Sequence, residues 1–321
     1  MRTTQIAAIA AGLGLALGAF PAAAAEFPSK PIEVVIPFAQ GGGTDQVGRA
    51  FAQFAKPHLG VDLFVSNRTG GSGATGFAYG AQAAPDGHVI TMTVTTLVSA
   101  PHTIKGYPVT YRDFKTICLI SAPPGVLSVH KDSPFKTLKD LIAFGKANPK
   151  KLTFGTAGPG SNTHLIGAAF ANKAGIEVRY VPHRGSGPVL TATFGKHVDV
   201  AVTDKAEALP WLTDGRLRAL TVFTGEADSG LKDVPTAKAA GFDMDIGSFR
   251  ALGAPKDTPA PVMAKLIDGC RKTAADKEFI TFLEKTGTEI NTKFGDDAAA
   301  WIKQQDELFG EAARIVSGQG S

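Results

Sequence analysis

Three short apolar strands in this chain run straight into glycine-rich turns that open helices, and that repeated junction limits the fold more than any other feature. The first is Phe38-Ala39-Gln40-Gly41-Gly42-Gly43-Thr44-Asp45, after a strand at Pro31 to Pro37. The second is Thr156-Ala157-Gly158-Pro159-Gly160-Ser161-Asn162-Thr163, and the third is His183-Arg184-Gly185-Ser186-Gly187-Pro188. Strands alternating with amphipathic helices predict an α/β protein with mainly parallel sheets flanked by helices. A helix N-terminus presents unpaired N–H groups and partial positive charge, so such turns suit an anion. In open α/β sheets they lie beyond the carboxyl ends of the strands, where ligands bind. One junction of this kind means little. One from a first lobe facing two from a second would line a cleft.

Further strands are expected at 61–66, 89–94 and 115–120. A second series starts near Leu127, with strands at 151–155, 177–181, 198–202 and 217–223. The strand at Lys115 to Ile120 leaves the first unit, and Phe249 to Ala254 returns to it, after which only helices follow. The expected division is 26–124 with 247–321 in lobe one and 125–246 in lobe two, with the ligand cleft between them.

Residues 1–25 read as a secretory signal peptide rather than as part of the fold. Arg2 is the n-region, Ile6 to Phe20 the apolar stretch, and Ala23-Ala24-Ala25 the small-residue cleavage site, with cleavage near Ala25. The apolar run falls short of the ~20 residues of a membrane span. A soluble chain exported to a bacterial periplasm is expected. At 44% hydrophobic and 19% charged the 321 residues can build cores, which excludes disorder. The 33 basic and 29 acidic residues are interspersed without a basic block, which excludes a nucleic-acid partner.

Rival chemistries are weakly supported. Gly71-Ser72-Gly73-Ala74-Thr75-Gly76 spells G-x-G-x-x-G, but no Asp or Glu occurs between Asp86 and Asp113, where the ribose-binding acid should stand. Ser161 and His164 could serve an exported hydrolase, with Asp199 or Asp204 completing a triad, yet there is no G-x-S-x-G elbow. The histidines show no metal-ligand spacing, so neither a metal nor a cofactor is expected. Cys118 and Cys270 read by default as buried thiols, with a single disulfide the minority reading. Asp45 reads first as a helix cap that holds its loop and second as a ligand contact.

Over essentially the whole chain from Pro31, these residues together resemble the Bug-type periplasmic solute-binding receptors of tripartite tricarboxylate transporters. The resemblance is carried by Pro37 to Asp45, Asn67-Arg68, Pro85-Asp86-Gly87, Gly155 to Leu165 and Val181 to Pro188. It continues in Val198-Asp199-Val200, Gly215 to Leu220 and Val234-Pro235-Thr236. It implies a two-lobed "Venus flytrap" that closes on a small carboxylate, catalyses nothing, and delivers its ligand, as a monomer, to membrane permease subunits. A sensory accessory protein would share the fold. Gln40 stands where the family usually has Pro, His183 where it has Tyr, and Phe249 where it has Trp. Thr203-Asp204-Lys205 stands where an Asp-Asn pair is common. Candidate ligands are short dicarboxylates, citrate-like acids and aromatic carboxylates such as terephthalate.

The expected ligand-binding set follows from the turns and the resemblance together. From the first loop it takes Phe38, Ala39, Gln40, Gly41, Gly42, Thr44 and Asp45. From the second lobe it takes Gly160, Ser161, Asn162, Thr163 and His164, then Arg184, Gly185 and Ser186, then Thr203 and Asp204. Arg184 is the contender for a bidentate carboxylate contact, since a guanidinium fork matches that geometry.

Overall fold

The computed structural model describes residues 27–318 except 184, 227–229 and 287. The expected leader, its cleavage point near Ala25, and Arg184 therefore lie outside the described residues. In the first stretch β1 (Ile32–Ile36), α1 (Gly43–Leu59), β2 (Leu63–Asn67), α2 (Ala74–Ala81), β3 (Val89–Val94), α3 (Thr96–Thr103) and β4 (Phe114–Ser121) follow one another. All five residues of β1, Ile-Glu-Val-Val-Ile, are buried, as suits a strand covered on both faces by helices. In the G-x-G-x-x-G segment the last glycine packs inward. A Cβ on Gly76 would lie 2.6 Å from the Pro37 Cα and 2.7 Å from the Arg68 carbonyl oxygen.

The second series is β5 (Gly125–His130), α4 (Leu138–Ala147), β6 (Thr153–Thr156), α5 (Asn162–Ala174), β7 (Arg179–Pro182), α6 (Ser186–Phe194), β8 (Val200–Asp204), α7 (Lys205–Thr213) and β9 (Leu217–Val222). The chain then returns through β10 (Arg250–Pro255), α8 (Ala260–Ala274), α9 (Lys277–Lys285), β11 (Lys293–Phe294) and α10 (Gly295–Gly318). Helix α4 starts where Thr137 and Asp140 form a reciprocal capping box, and α5 ends at Gly175 in the left-handed region.

Two α/β lobes result. One sheet has the order β11-β4-β10-β3-β1-β2 and the other β7-β6-β8-β5-β9. Both are mixed. Strands β1 with β2 and β3, and β6 with β7 and β8, pair in parallel, whereas β10, β11 and β5 pair antiparallel to their neighbours. The reason lies in the crossings. The chain changes lobe at the carboxyl ends of the parallel strands, so β5 and β10 start at the cleft and run away from it. The two crossings also touch: Ser248 N–H donates to the Pro123 carbonyl at 3.1 Å and Gly125 N–H to that of Ile246 at 3.0 Å. Gly247 has no room for a side chain there, since a Cβ would sit 2.2 Å from the Pro123 oxygen.

Three sequence expectations need correction. A short strand, β11, interrupts the helices after β10 and pairs with β4. Helices α3 and α7 and strand β5 were not foreseen as elements. Cys118 on β4 and Cys270 on α8 form a disulfide rather than standing as separate thiols, because α8 packs on β4 and brings their Cα atoms to 6.6 Å. The apolar core spans both lobes through α10, whose Ile302 and Phe309 join Phe170 and Phe223 of the second lobe.

Candidate functional site

A cavity of about 810 Å³ opens between the lobes. The first turn contributes Phe38 and Thr44, the second Ala157 to Asn162, and the returning crossing Ser248, Phe249 and Arg250. The remainder comes chiefly from α3 and the residue that precedes it, including Thr95, Thr96 and Ser99.

The first turn is braced by Asp45. Its carboxylate, 2% exposed, accepts from the Gly41 N–H and Arg49 Nε at 2.9 Å each and from Asn67 Nδ2 at 2.8 Å. Burial pushes this carboxyl upward, but the bonds from Arg49, Gly41 and Asn67 outweigh it and hold it below the ordinary range. Gly41 takes φ +86°, which a side chain would resist, whereas Gly42 at φ −75° has no such need. In the second turn Thr163 Oγ1 accepts from the Ala157 N–H at 2.8 Å and Ser161 caps α5 through the His164 N–H. Gly160, at φ +70°, faces Thr103 of α3 across the cavity mouth.

Asp204 closes β8 behind the second turn. Its Oδ2 accepts from Asn162 Nδ2 at 3.3 Å and, at short range, from Ser248 Oγ, while Oδ1 is buried without a partner. Burial and the neighbouring Glu207 push its carboxyl up to about 6, against the bonds from Ser248 and Asn162 and the charge of Arg250.

Of the expected residues, Phe38, Thr44, Gly160, Ser161 and Asn162 meet around the cavity. Ala39, Gln40, Gly41, Gly42 and Asp45 shape the first turn, and Thr163 and His164 brace the second, without lining it. Gly185 and Ser186 open α6 outside the lining, and Thr203 and Asp204 are buried behind it. The hydrolase geometry is not formed. Ser161 Oγ donates to the Gly158 carbonyl at 2.8 Å, and the His164 ring accepts from the Gly160 N–H at 3.0 Å. Asp199 is taken by Thr153, at 2.8 Å to its N–H and 2.6 Å to its hydroxyl.

Sequence reasoning missed α3 and Arg250. The β3–α3 junction carries no glycine, because Thr95 already has helical dihedrals (φ −45°, ψ −36°) and needs no left-handed turn. Its legible signal was the Thr95-Thr96 pair directly after a strand. Arg250 was legible only as a cation opening an otherwise apolar strand.

The pattern described as "Tripartite tricarboxylate transporter family receptor" matches residues 47–316. This chain belongs to that family. It is 33% identical over 308 residues to a UPF0065 protein of Cupriavidus necator, covering 95% of this chain and 94% of that one. It is 28% identical to Protein BugT of Bordetella pertussis, over 82% of each. Among solved structures, a TctC solute-binding protein from Polaromonas without ligand superposes with TM-score 0.86 at 29% identity, covering 90% of this chain and 99% of that one. MatC of Rhodopseudomonas palustris with bound malate gives 0.66 at 26% identity, covering 90% and 100%. A second R. palustris protein, with adipate, gives 0.68 at 25%, covering 91% and 98%. The chain is thus a TctC-type solute-binding receptor, from a family of binding proteins rather than enzymes.

Proposed function

We propose that this receptor captures a small carboxylate in the interlobe cavity, in the periplasm after loss of its leader, and presents it to the permease of a tripartite tricarboxylate transporter. One observation carries the reading. The described lining holds short hydroxyl and amide groups and the cation Arg250, but no Asp or Glu. A site that excludes carboxylate side chains while offering N–H and O–H donors suits an anionic ligand. Malate and adipate in the two R. palustris relatives are of this class. Phe38, Thr44, Gly160, Ser161 and Asn162 are the contacts we assign from the sequence-expected set.

Lobe boundaries at 26–124 with 247–321 and at 125–246 complete the reading, with closure about the paired crossings. A thermal-shift panel of malate, adipate, citrate and terephthalate tests the function. A ligand at 100 times its Kd should stabilise the receptor by about 2.7 kcal/mol and be recovered unchanged. Absence of any shift, with no acid carried through purification, would exclude the carboxylate reading.

A further inference from the structure

The first residue of β10 is a guanidinium held at the cavity without a counter-ion in contact. Arg250 lines the cavity beside Ser248 and Phe249. Its Nε is buried with no hydrogen-bond partner, and among the described residues no carboxylate stands within 4 Å of it. The residue as a whole is half-buried, so the cost falls on the Nε, a buried polar group that is ordinarily hydrogen-bonded. Asp204 and Glu207 act on it only through space, because the bonded oxygen of Asp204 is taken by Ser248 and Asn162.

The start of α1, on the same lobe, makes room for it. Gly43, the first residue of α1, does not have a left-handed φ, so flexibility does not explain glycine there. A Cβ on Gly43 would stand 2.9 Å from Arg250 Nη2 and 3.6 Å from Cζ. The guanidinium therefore rests against the opening turn of α1, next to Thr44, which also lines the cavity. A ligand oxygen that reaches Thr44 meets the fork of Arg250 at the same end of the cavity.

We propose that Arg250 reads the charge of the ligand: its guanidinium, seated against Gly43, neutralises one acid group and makes the receptor prefer an acid over its uncharged amide. This rests on the carboxylate reading and deepens it. It also places the ionic contact on the crossing into β10 rather than on Arg184. Arg suits the role better than Lys because its planar fork can hold both carboxylate oxygens.

The full-length receptor is titrated calorimetrically with malate, adipate, citrate and terephthalate, each beside its amide. Wild type should bind at least one acid and discriminate against its amide. Arg250→Gln should weaken the acid by about 30-fold, in the range for removing a charged hydrogen bond, and collapse the preference over the amide. Arg250→Lys should recover part of both. Gly43→Ala, which pushes on the guanidinium, should weaken the acid about threefold to tenfold in wild type and add nothing in Arg250→Gln.

A purely structural arginine would lower the melting temperature while leaving the acid-to-amide ratio intact, and that result overturns the proposal. So does Arg250→Gln binding within threefold of wild type. If Arg250→Gln fails to fold, Arg250→Lys and Gly43→Ala decide: an unchanged acid-to-amide ratio in both overturns it. Wild type that binds none of the four acids removes the carboxylate reading as well, whereas binding that ignores Arg250 removes this assignment alone.

Discussion

Asp45 and Asp204 lie on opposite lobes near one cavity, each with an arginine in reach, and their surroundings shift them in opposite directions. Asp45 accepts three hydrogen bonds spread over both oxygens, one of them from Arg49 in direct ion-pair contact at 2.9 Å. Asp204 accepts two on a single oxygen, its other oxygen is unpartnered, and its arginine, Arg250, is not in contact. The first carboxyl is held below its ordinary range and the second is pushed up to about 6. Burial raises both; for Asp204 deep burial and the Glu207 charge outweigh its two bonds, whereas for Asp45 three bonds and an arginine in contact outweigh burial. A satisfied carboxylate braces a turn. An incompletely satisfied one leaves its arginine available to an outside anion.

The largest expected effect separates them by stability. Asp45→Ala leaves the Gly41 N–H, Asn67 and Arg49 without their acceptor and should cost about 2–3 kcal/mol. Asp204→Asn keeps an oxygen for the Ser248 hydroxyl and removes a desolvated charge, so at pH 7 it should shift stability by less than about 1 kcal/mol, in the stabilising direction. Urea denaturation of both variants checks the contrast. Equal losses would mean that Asp204 is as much a brace as Asp45.

The same contrast explains what could be read from the residues. The alternation of strands and helices and the turns at 38–45 and 156–163 are written in local pattern, and Phe38, Thr44, Ser161 and Asn162 follow from those turns. Helix α3 was missed because its entry bends through helical dihedrals at Thr95, so only the Thr95-Thr96 pair and no glycine marks it. Thr95 earns its place from 154 residues away, by accepting the Phe249 N–H at 2.7 Å. Arg250 is similar: its significance comes from Gly43, far away in the chain, and spacing carries no trace of that contact. The disulfide was open to the sequence only as a minority reading, since the packing of α8 on β4 decides it.

A smaller effect distinguishes the glycines of the first turn. Gly41→Ala forces a side chain into φ +86° and should cost about 1–2 kcal/mol. Gly42→Ala, at φ −75° with its nearest neighbour 3.7 Å away, should be close to neutral. Thermal denaturation of the two alanine variants measures the difference. A reversal would show that Asp45 does not impose the turn through the Gly41 N–H.

The subtlest test is the pH dependence of stability, where the two carboxyls contribute with opposite sign. For Asp45 the folded value is lowered, so its contribution is present above the unfolded value of 3.8 and is lost as pH falls through the folded one. For Asp204 the folded value is raised from 3.8 to about 6, so the native state holds the proton more tightly. Between these values the folded chain binds more protons than the unfolded one, and stability falls as pH rises. The contribution of Asp204 is therefore complete below about pH 4, declines through pH 4 to 6, and is absent above about pH 6. Denaturation midpoints of wild type and Asp204→Asn across pH 3.5 to 8 isolate it, provided the two differ at this position alone. The difference, wild type minus variant, should decline with rising pH inside that window and level off beyond it. A difference that instead grew with pH would place a partner on the free oxygen of Asp204, and the arginine beside it would then be committed to the protein rather than to a ligand.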